Sequence, residues 1–401
     1  MDVTAQFEGT GRLAELLEGF QPRPSQARLA ERIGDCLTRS TDLIAEAATG
    51  TGKTLAYLIP ALEHGGQLII STGTLNLQDQ LFQRDLPLAL KTTQLERKIA
   101  LLKGRGNYLC GGRLALALAN RESLNLDLQA ELDQVSHWSK HTTQGEIREL
   151  AEIGQRSSIW PLVTCTADNC LSTHQDGGQD CYLFKARRIA QAADIVVVNH
   201  HLLFADLALK QTGFGEVLPD ADAVIVDEAH QIPGVATRFF SRSVSAWQLS
   251  ELGRDSLAAC ATATGALHFL QSPIDQLKTR LAQLASGAQT LPERGPWKSL
   301  TPLQPALQAL TSAIAELNQA LEPLQSQSRE LGNCFDRSTT FRQNLDVLLA
   351  GDTHGVRWFS SKRGRLTMNL TPLDIAEPFR QLRAELPSTW IMTSATLAVN
   401  G

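Results

Sequence analysis

The segment AATGTGKT at residues 47–54 constrains the fold more than any other part of the sequence. An apolar run at residues 43–47 leads into it, and Leu55, Leu58, Ile59 and Leu62 follow at helical spacing. Glycines at 50 and 52 allow backbone conformations that other residues rarely adopt. The segment therefore predicts a tight turn from a strand into a helix, as found in α/β folds.

Four more runs of branched apolar residues predict buried strands, at residues 67–71, 194–199, 223–227 and 390–393. Each run ends in polar or glycine-containing sequence, and ligands of open parallel sheets gather at the carboxyl ends of the strands. We expect one open parallel α/β sheet, with its ligand site at that edge.

Two long gaps interrupt the predicted strands, roughly 120 residues after the second and roughly 160 after the fourth, far beyond ordinary connections. They predict two insertions, and a chain of 401 residues is expected to contain several domains. We expect the sheet domain to comprise residues 1–100, 191–240 and 381–401, with a cysteine-rich insertion at 101–190 and a helical one at 241–380. In the second insertion, leucines and an isoleucine recur at spacings of four and three between residues 303 and 324, which predicts a packing helix that ends near Pro323.

Composition narrows the class of protein. The chain is 43% hydrophobic and 20% charged with a net charge of -5, which excludes disordered and fibrous classes but leaves nucleic acid open as a partner, because a local basic stripe suffices. The first twenty residues lack a secretory pattern, and no apolar run reaches the roughly 18 residues of a membrane helix. We therefore expect a cytoplasmic protein.

The glycine-rich turn is expected to bind the phosphates of ATP. Backbone amides can close around them, Lys53 reaches the β and γ oxygens, and the Thr54 hydroxyl can ligate Mg²⁺. Ala47 stands where the usual pattern begins with glycine, and a turn without ligand is the alternative. The candidate phosphate-binding residues are Ala47, Ala48, Thr49, Gly50, Thr51, Gly52, Lys53 and Thr54.

The run at 223–227 leads into Asp-Glu-Ala-His. Asp227 would hold Mg²⁺ at the strand end, Glu228 would activate the attacking water, and His230 would lie near the nucleotide. A solvated acidic turn is the alternative. Lys53, Asp227, Glu228 and His230 are therefore the candidate catalytic residues.

Upstream of the first strand, Phe20, Arg23 and Gln26 form a possible adenine site. An amide such as that of Gln26 can both donate to and accept from the edge of adenine. A proline-bounded loop capping a helix near Ser25 is the alternative.

Four of the seven cysteines, Cys110, Cys165, Cys170 and Cys181, fall in the first insertion, separated by 54, 4 and 10 residues. In a reducing compartment they favour metal binding over disulfides, and four thiolates suit either a [4Fe–4S] cluster or structural zinc. Basic and aromatic residues interleave around them and could form a strand-separating surface or a solvated face over an aromatic core. These residues are Arg97, Lys98, Lys103, Arg105, Arg113, Lys185, Arg187 and Arg188, with Tyr108, Trp160, Tyr182 and Phe184.

In order along the chain, Gln26, AATGTGKT, Ser71-Thr72-Gly73-Thr74, Asp-Glu-Ala-His and Ser394-Ala395-Thr396 resemble the first-half motifs of superfamily 2 helicases. Asn199-His200-His201-Leu202-Leu203 and Pro372-Leu373-Asp374 resemble the XPD/DinG branch of iron–sulfur DNA helicases, and within it the bacterial YoaA-like helicases.

This resemblance implies a RecA-like parallel sheet of the P-loop NTPase type, a [4Fe–4S] cluster in the first insertion and a helical Arch domain in the second. It also implies 5′-to-3′ movement on single-stranded or forked DNA in repair or replication. It implies that Ser394 and Thr396 couple hydrolysis to movement, and that Thr72, Thr74 and Gln78 lie along the single strand. It also implies an association with the replication machinery.

The chain ends five residues after Thr396, before the second RecA-like domain of such motors. We therefore expect a fragment that binds ATP and hydrolyses it poorly, because an arginine finger contributes about 10³–10⁵ in rate in related NTPases. The alternative is a nucleotide-gated, cluster-containing sensor of single-stranded DNA without unwinding activity.

Overall fold

The computed structural model describes residues 3–48, 50–166, 169–170, 181–212, 217–351, 355–362, 364–384, 386 and 388–396. Within these ranges, ten strands form two separate sheets. The strands are β1 (Leu43–Glu46), β2 (Leu68–Thr72), β3 (Ile99–Leu101), β4 (Ile195–Asn199), β5 (Ala223–Asp227), β6 (Arg242–Ser245), β7 (Arg294–Pro296), β8 (Gly355–Lys362), β9 (Arg365–Pro372) and β10 (Thr389–Ser394).

Helices surround the first sheet and build most of both insertions. They are α1 (Arg12–Leu16), α2 (Pro24–Thr38), α3 (Lys53–His64), α4 (Leu75–Gln80), α5 (Leu86–Thr93), α6 (Gly111–Ala119), α7 (Leu126–Trp138), α8 (Trp160–Val163), α9 (Tyr182–Gln191), α10 (His200–Thr212), α11 (Ile232–Phe240), α12 (Ala246–Ala259), α13 (Ala266–Ala288), α14 (Gln304–Leu321), α15 (Arg329–Ala350) and α16 (Ala376–Ala384). Among the described residues, none of the helices has both the length and the apolar character of a membrane span.

The first sheet has six strands in the order β1-β10-β5-β2-β4-β3, and every pairing is parallel. The prediction of a parallel α/β sheet is thus confirmed, with all five expected runs in one sheet. The sixth strand, β3, was missed because its three residues are too few to show a pattern.

Alternate residues of the central strands face two different apolar layers. Ile70 and Ile225 pack with α2, α3 and α5 on one side of the sheet, whereas Ile69, Val224 and Val226 pack with α10, α11 and α16 on the other. Burial of such a side chain contributes about 1.5–3 kcal/mol. Because both faces are covered, the sheet edge at the carboxyl ends of the strands is left for a ligand.

The first insertion, between β3 and β4, has its own small apolar core, which includes Leu132, Val135 and Trp160. It is tied to the first sheet by Lys103, whose side chain is only 2% exposed and forms ion pairs with Asp79 after β2 and with Glu146. Burial of an ammonium group is tolerated here because two carboxylates neutralise it.

The second insertion, between β5 and β10, contains helices α12–α15 around a separate apolar core. The predicted packing helix is confirmed as α14, whose Leu307, Leu310, Ile314, Leu317 and Leu321 are all buried before Pro323. The insertion also contains a feature that was not predicted, an antiparallel sheet formed by β6, β9, β8 and β7. Its signal was the alternation of Leu366, Met368 and Leu370 with polar residues, which has the period of a strand.

A buried ionic cluster joins the two insertions. The guanidinium of Arg113 on α6 lies 3.1 Å from Glu251 and 2.7 Å from Asp255 on α12, and Asp255 also pairs with Arg337 on α15 at 2.7 Å. Two insertions that are far apart in sequence are therefore in direct contact.

Candidate nucleotide and DNA site

The glycine-rich turn joins β1 to α3 at the carboxyl edge of the first sheet. Gly50 and Gly52 have φ angles of 78° and 80°, a region that favours glycine, and α3 begins at Lys53. The amide and the hydroxyl of Thr51 both donate to the Ala48 carbonyl, and the Ala47 amide donates to Ser394 at 2.9 Å. The turn is thus fixed in a shape that can surround an anion, although Thr49 lies outside the described residues.

The predicted adenine site is only partly brought to this turn. Gln26 is buried, and its amide donates to the Gly52 carbonyl at 3.0 Å, so it supports the turn itself. A Cβ atom at Gly52 would overlap that amide. Phe20 packs against the apolar layer beside α3, whereas Arg23 is exposed at the start of α2.

The catalytic candidates form a chain of polar contacts at the ends of three strands. The ammonium of Lys53 lies 3.5 Å from Oε1 of Glu228, and Nδ1 of His230 lies 3.2 Å from Oε2. The same Nδ1 is 2.8 Å from the Ser394 hydroxyl. The structure thus brings together the turn after β1, the acidic turn after β5 and the end of β10, which lies between them.

Asp227 is 9% exposed and accepts hydrogen bonds from three directions. Tyr57 donates to Oδ2 at 3.4 Å, while Thr393 and the Glu228 amide donate to Oδ1 at 3.3 and 3.0 Å. Burial, followed by the charge of Glu228, raises the pKa of Asp227. Glu228 has a φ of 55°, which turns its carboxylate toward Lys53 and His230.

Tyr57 and Thr393 were missed by sequence reasoning. Tyr57 follows the glycine-rich turn within an apolar helical run, and its pattern is that of a core residue. Burial and the nearby Asp227 raise the pKa of Tyr57, so its hydroxyl stays a donor. Thr54, the other candidate Mg²⁺ ligand, is half-buried one helical turn before Tyr57 and within reach of its hydroxyl.

The expected single-strand path divides into exposed and buried residues. Thr74 is exposed and caps α4, with its hydroxyl accepting from the Leu77 amide. Thr72 is only 1% exposed. Gln78 is fully buried, and its amide donates to the carbonyls of Leu102 and Val197 at 2.8 and 3.0 Å, so we correct its assignment from DNA contact to a link between strands.

The coupling candidates lie at the end of β10. Ser394 is fully buried and contacts His230, whereas Thr396 is exposed and its amide donates to the Ser394 hydroxyl at 3.2 Å. The Ser394 hydroxyl thus links the His230 imidazole to the backbone of the exposed Thr396.

Three of the four insertion cysteines are close together. The thiols of Cys110 and Cys165 are hydrogen-bonded, Cys165 also contacts Cys170, and the half-buried Arg187 lies near Cys165, Cys170 and Cys181. Cys110 and Cys181 each precede the first turn of a helix, α6 and α9. The hydrogen bond from Cys165, aided by the Gly112 and Arg113 amides, lowers the pKa of Cys110 to about 6.

These thiols supply donor chemistry that fits a cluster, since helix N-termini and an arginine stabilise thiolates. Among the described residues, however, no group of three or more His, Cys, Asp or Glu side chains is arranged so that it could hold a metal ion. Of the other cysteines, Cys36 and Cys334 are buried and Cys260 is half-buried.

The basic and aromatic residues of the first insertion do not form one surface. Lys103, Arg113, Tyr108 and Trp160 are all at most 9% exposed, so the prediction that they contact DNA was wrong. The Arg97 guanidinium donates to the Gly66 carbonyl and forms an ion pair with Asp194. Exposed cations of the set include Lys185, which lies over the Tyr182 ring, and Arg188.

A glycine-rich turn between a parallel strand and a helix, facing Asp-Glu at the end of a nearby strand, defines the P-loop NTPases of the RecA-like class. Family comparison agrees with this class: residues 23–106 match the DEAD/DEAH box helicase family and residues 129–249 match the DEAD_2 family. The chain belongs to the XPD/DinG branch of the superfamily 2 helicases.

The relatives that support this assignment are bacterial. The ATP-dependent DNA helicase YoaA of Escherichia coli is 39% identical over 406 residues, which cover 99% of this chain and 63% of that protein. YoaA of Haemophilus influenzae is 38% identical, covering 98% and 62%, and the helicase DinG of Photobacterium profundum is 33% identical, covering 61% and 37%. The chain thus spans less than two thirds of the length of these relatives.

A solved XPD helicase structure aligns with 95% of this chain and 59% of its own, at a TM-score of 0.46 and 17% identity.

Proposed function

We propose that the chain is the nucleotide-binding part of an ATP-dependent DNA helicase that moves 5′ to 3′ on single-stranded or forked DNA. The observation that carries the proposal is the contact chain from Lys53 through Glu228 and His230 to Ser394. It joins the residues that would bind and cleave ATP to the end of β10, where an exposed Thr396 follows.

Each residue along these contacts has a specific chemical role in the proposed reaction. Lys53 neutralises the β and γ phosphates, and the backbone amides of the turn donate to their oxygens. Thr54 and Asp227 would hold Mg²⁺, which neutralises charge on the phosphates when bound. Glu228 lies beside both Lys53 and Asp227, where its carboxylate accepts the proton of the attacking water. His230 then transmits the state of Glu228 to Ser394.

Cys110, Cys165, Cys170 and Cys181 are proposed to hold a [4Fe–4S] cluster, with zinc as the alternative. The contacts among Cys110, Cys165 and Cys170 and the approach of Arg187 support this set. We expect the anaerobically purified chain to contain four irons and four acid-labile sulfides. The Cys165→Ser variant should lose them, whereas the control variant Cys36→Ser should keep them. If the chain instead contained one zinc and no iron, the four cysteines would be assigned to a structural zinc site.

The proposed domains are residues 1–100, 191–240 and 381–401 for the motor, 101–190 for the cluster domain and 241–380 for an Arch-like domain. The four separate apolar clusters support this division. The association with the replication machinery stays a prediction from the resemblance.

Nucleotide binding tests the proposed site directly. Lys53→Ala is expected to weaken binding of a fluorescent ATP analogue at least tenfold, whereas Lys91→Ala, on the exposed side of α5, leaves it unchanged. Equal binding by both variants would remove the ATP assignment.

Phosphate release and strand separation, measured with a forked DNA carrying a 5′ single-stranded tail, then test the helicase. Because slow hydrolysis is expected of this chain, the helicase proposal predicts weak phosphate release that DNA stimulates. Nucleotide-dependent DNA binding with no DNA-stimulated phosphate release would favour the sensor.

A further inference from the structure

The antiparallel sheet of the second insertion has one covered and one open face. Phe359, Met368 and Val244 point into the apolar core beneath α12–α15. Because side chains alternate along a strand, Trp358, Ser360 and Thr367 lie on the opposite face, and Val356 on that face is 50% exposed.

The charge of this sheet is opposite to that of the whole chain. Its four strands contain neither Asp nor Glu, and three of their cations, Arg294, Lys362 and Arg365, lie on the same face as Trp358 and Ser360. The chain as a whole carries a net charge of -5. Lys362 and Arg365 flank the β8–β9 turn on the open face, and within the part of the chain that the structure describes no carboxylate pairs with either of them. A positive patch on an acidic protein selects an anionic partner.

An aromatic platform with a fixed orientation lies in the middle of the open face. The guanidinium of Arg294 stacks over the Trp358 ring, 4.1 Å from its centroid. The indole NH donates to the Thr371 hydroxyl at 3.0 Å, and that hydroxyl also contacts Ser241 at 2.9 Å. An aromatic ring or a guanidinium plane that is held in place is a surface on which an unpaired base can stack.

From this combination we infer that the open face of the β6-β9-β8-β7 sheet binds single-stranded nucleic acid. Lys362 and Arg365 contact its phosphates, and one base stacks on the Arg294–Trp358 pair. Single strands fit because stacking on a side chain requires a base that is not paired within a duplex. The inference rests on the DNA substrate proposed above and adds a contact surface outside the motor sheet.

The test is fluorescence anisotropy of a labelled twenty-nucleotide oligo(dT) with the 401-residue chain, over a range of salt concentrations. Lys362→Ala with Arg365→Ala is expected to weaken binding and to reduce the slope of log K against log salt by about 1.4, since each phosphate contact on a single strand contributes about 0.7. Trp358→Leu is expected to weaken binding about tenfold, while Trp358→Phe keeps most of the affinity. Lys278→Ala with Arg280→Ala removes the same charge from α13, on the other side of the sheet, and is the matched control.

Three results would overturn the inference: unchanged binding by the sheet variants, an equal loss in the α13 control, or equal competition by polyglutamate or by duplex DNA. Thermal melting shows that each variant is folded, and a Trp358→Leu variant that unfolds leaves the charge variants to decide. If the parent chain binds no oligonucleotide, the proposed DNA function fails together with the inference. Normal parent binding with unaffected sheet variants removes the sheet surface alone.

Discussion

The Ser71 hydroxyl lies 2.7 Å from Nδ1 of His200, which joins the end region of β2 to the start of α10. His200 is fully buried, and the backbone of Asp227 and Glu228 lies against the same imidazole. One neutral ring thus connects the strand that leads toward Thr74 with the acidic turn after β5.

This burial predicts a pH-dependent stability. Burial lowers the pKa of His200 to about 4, whereas the unfolded chain has a histidine pKa of about 6.5. Between these values the unfolded state binds the extra proton, so stability falls as the pH decreases from about 6.5 to about 4, by about 3 kcal/mol in total. Urea unfolding of His200→Gln at pH 7 and pH 5 should show a smaller pH dependence than the parent. The exposed His268→Gln controls for loss of an imidazole, and an identical pH dependence in His200→Gln would contradict the assignment.

Gly52 is expected to tolerate substitution less well than Gly50. Both have positive φ, which costs an alanine about 1–2 kcal/mol, but only at Gly52 would a Cβ also overlap the Gln26 amide. Gly52→Ala should therefore lose more stability than Gly50→Ala, and adding Gln26→Ala should recover part of the difference. Thermal melting of the three variants measures this, and equal losses at the two glycines would show that the overlap is relieved by movement of Gln26.

Arg113→Met should destabilise the chain by about 3 kcal/mol, because it leaves the buried carboxylate of Glu251 and the half-buried one of Asp255 with less positive charge nearby. Arg121→Met is the matched control, since its ion pair with Asp133 is exposed and screened by water, so its loss is expected to change stability much less. Denaturant midpoints with unchanged slopes would measure both effects. Similar losses for the two variants would mean that the contact between the insertions adds little to stability.

Tyr57→Phe removes the hydroxyl that donates to Asp227. Groups that orient a metal ligand typically change metal affinity 10–100-fold, so the Mg²⁺ concentration needed for half-maximal binding of an ATP analogue should rise about tenfold. Binding in the presence of a chelator should be unaffected, and Tyr182→Phe is the control. An unchanged Mg²⁺ requirement would show that Asp227 does not depend on Tyr57 for its position.

Features with a local cause were predictable from the sequence. Runs such as residues 223–227 are apolar on both faces because they lie in the centre of a parallel sheet, and Gly52 is required by its own backbone angle. Lys103 and Arg113 could not be assigned, because their polarity predicts a surface position and only distant carboxylates make burial possible. The role of Gln78 likewise depends on Leu102 and Val197, which the fold brings to it.

The antiparallel sheet was predictable from the sequence only in part. The alternation at Leu366, Met368 and Leu370 is local, but the composition of the surrounding helices outweighed it. Its pairing with β6 depends on residues more than one hundred positions earlier, which no local pattern reveals.

The position of β10 between β1 and β5 has a consequence for synthesis on the ribosome. β1 cannot be joined to β5 through β10 until residues 389–394 have left the exit tunnel, so β1 stays without its neighbour in the sheet while both insertions are translated. Each insertion has its own apolar core and can collapse in the meantime. The nascent chain is therefore expected to acquire its insertions before its ATP site, and a ribosome stalled before residue 389 should carry a chain that does not retain nucleotide.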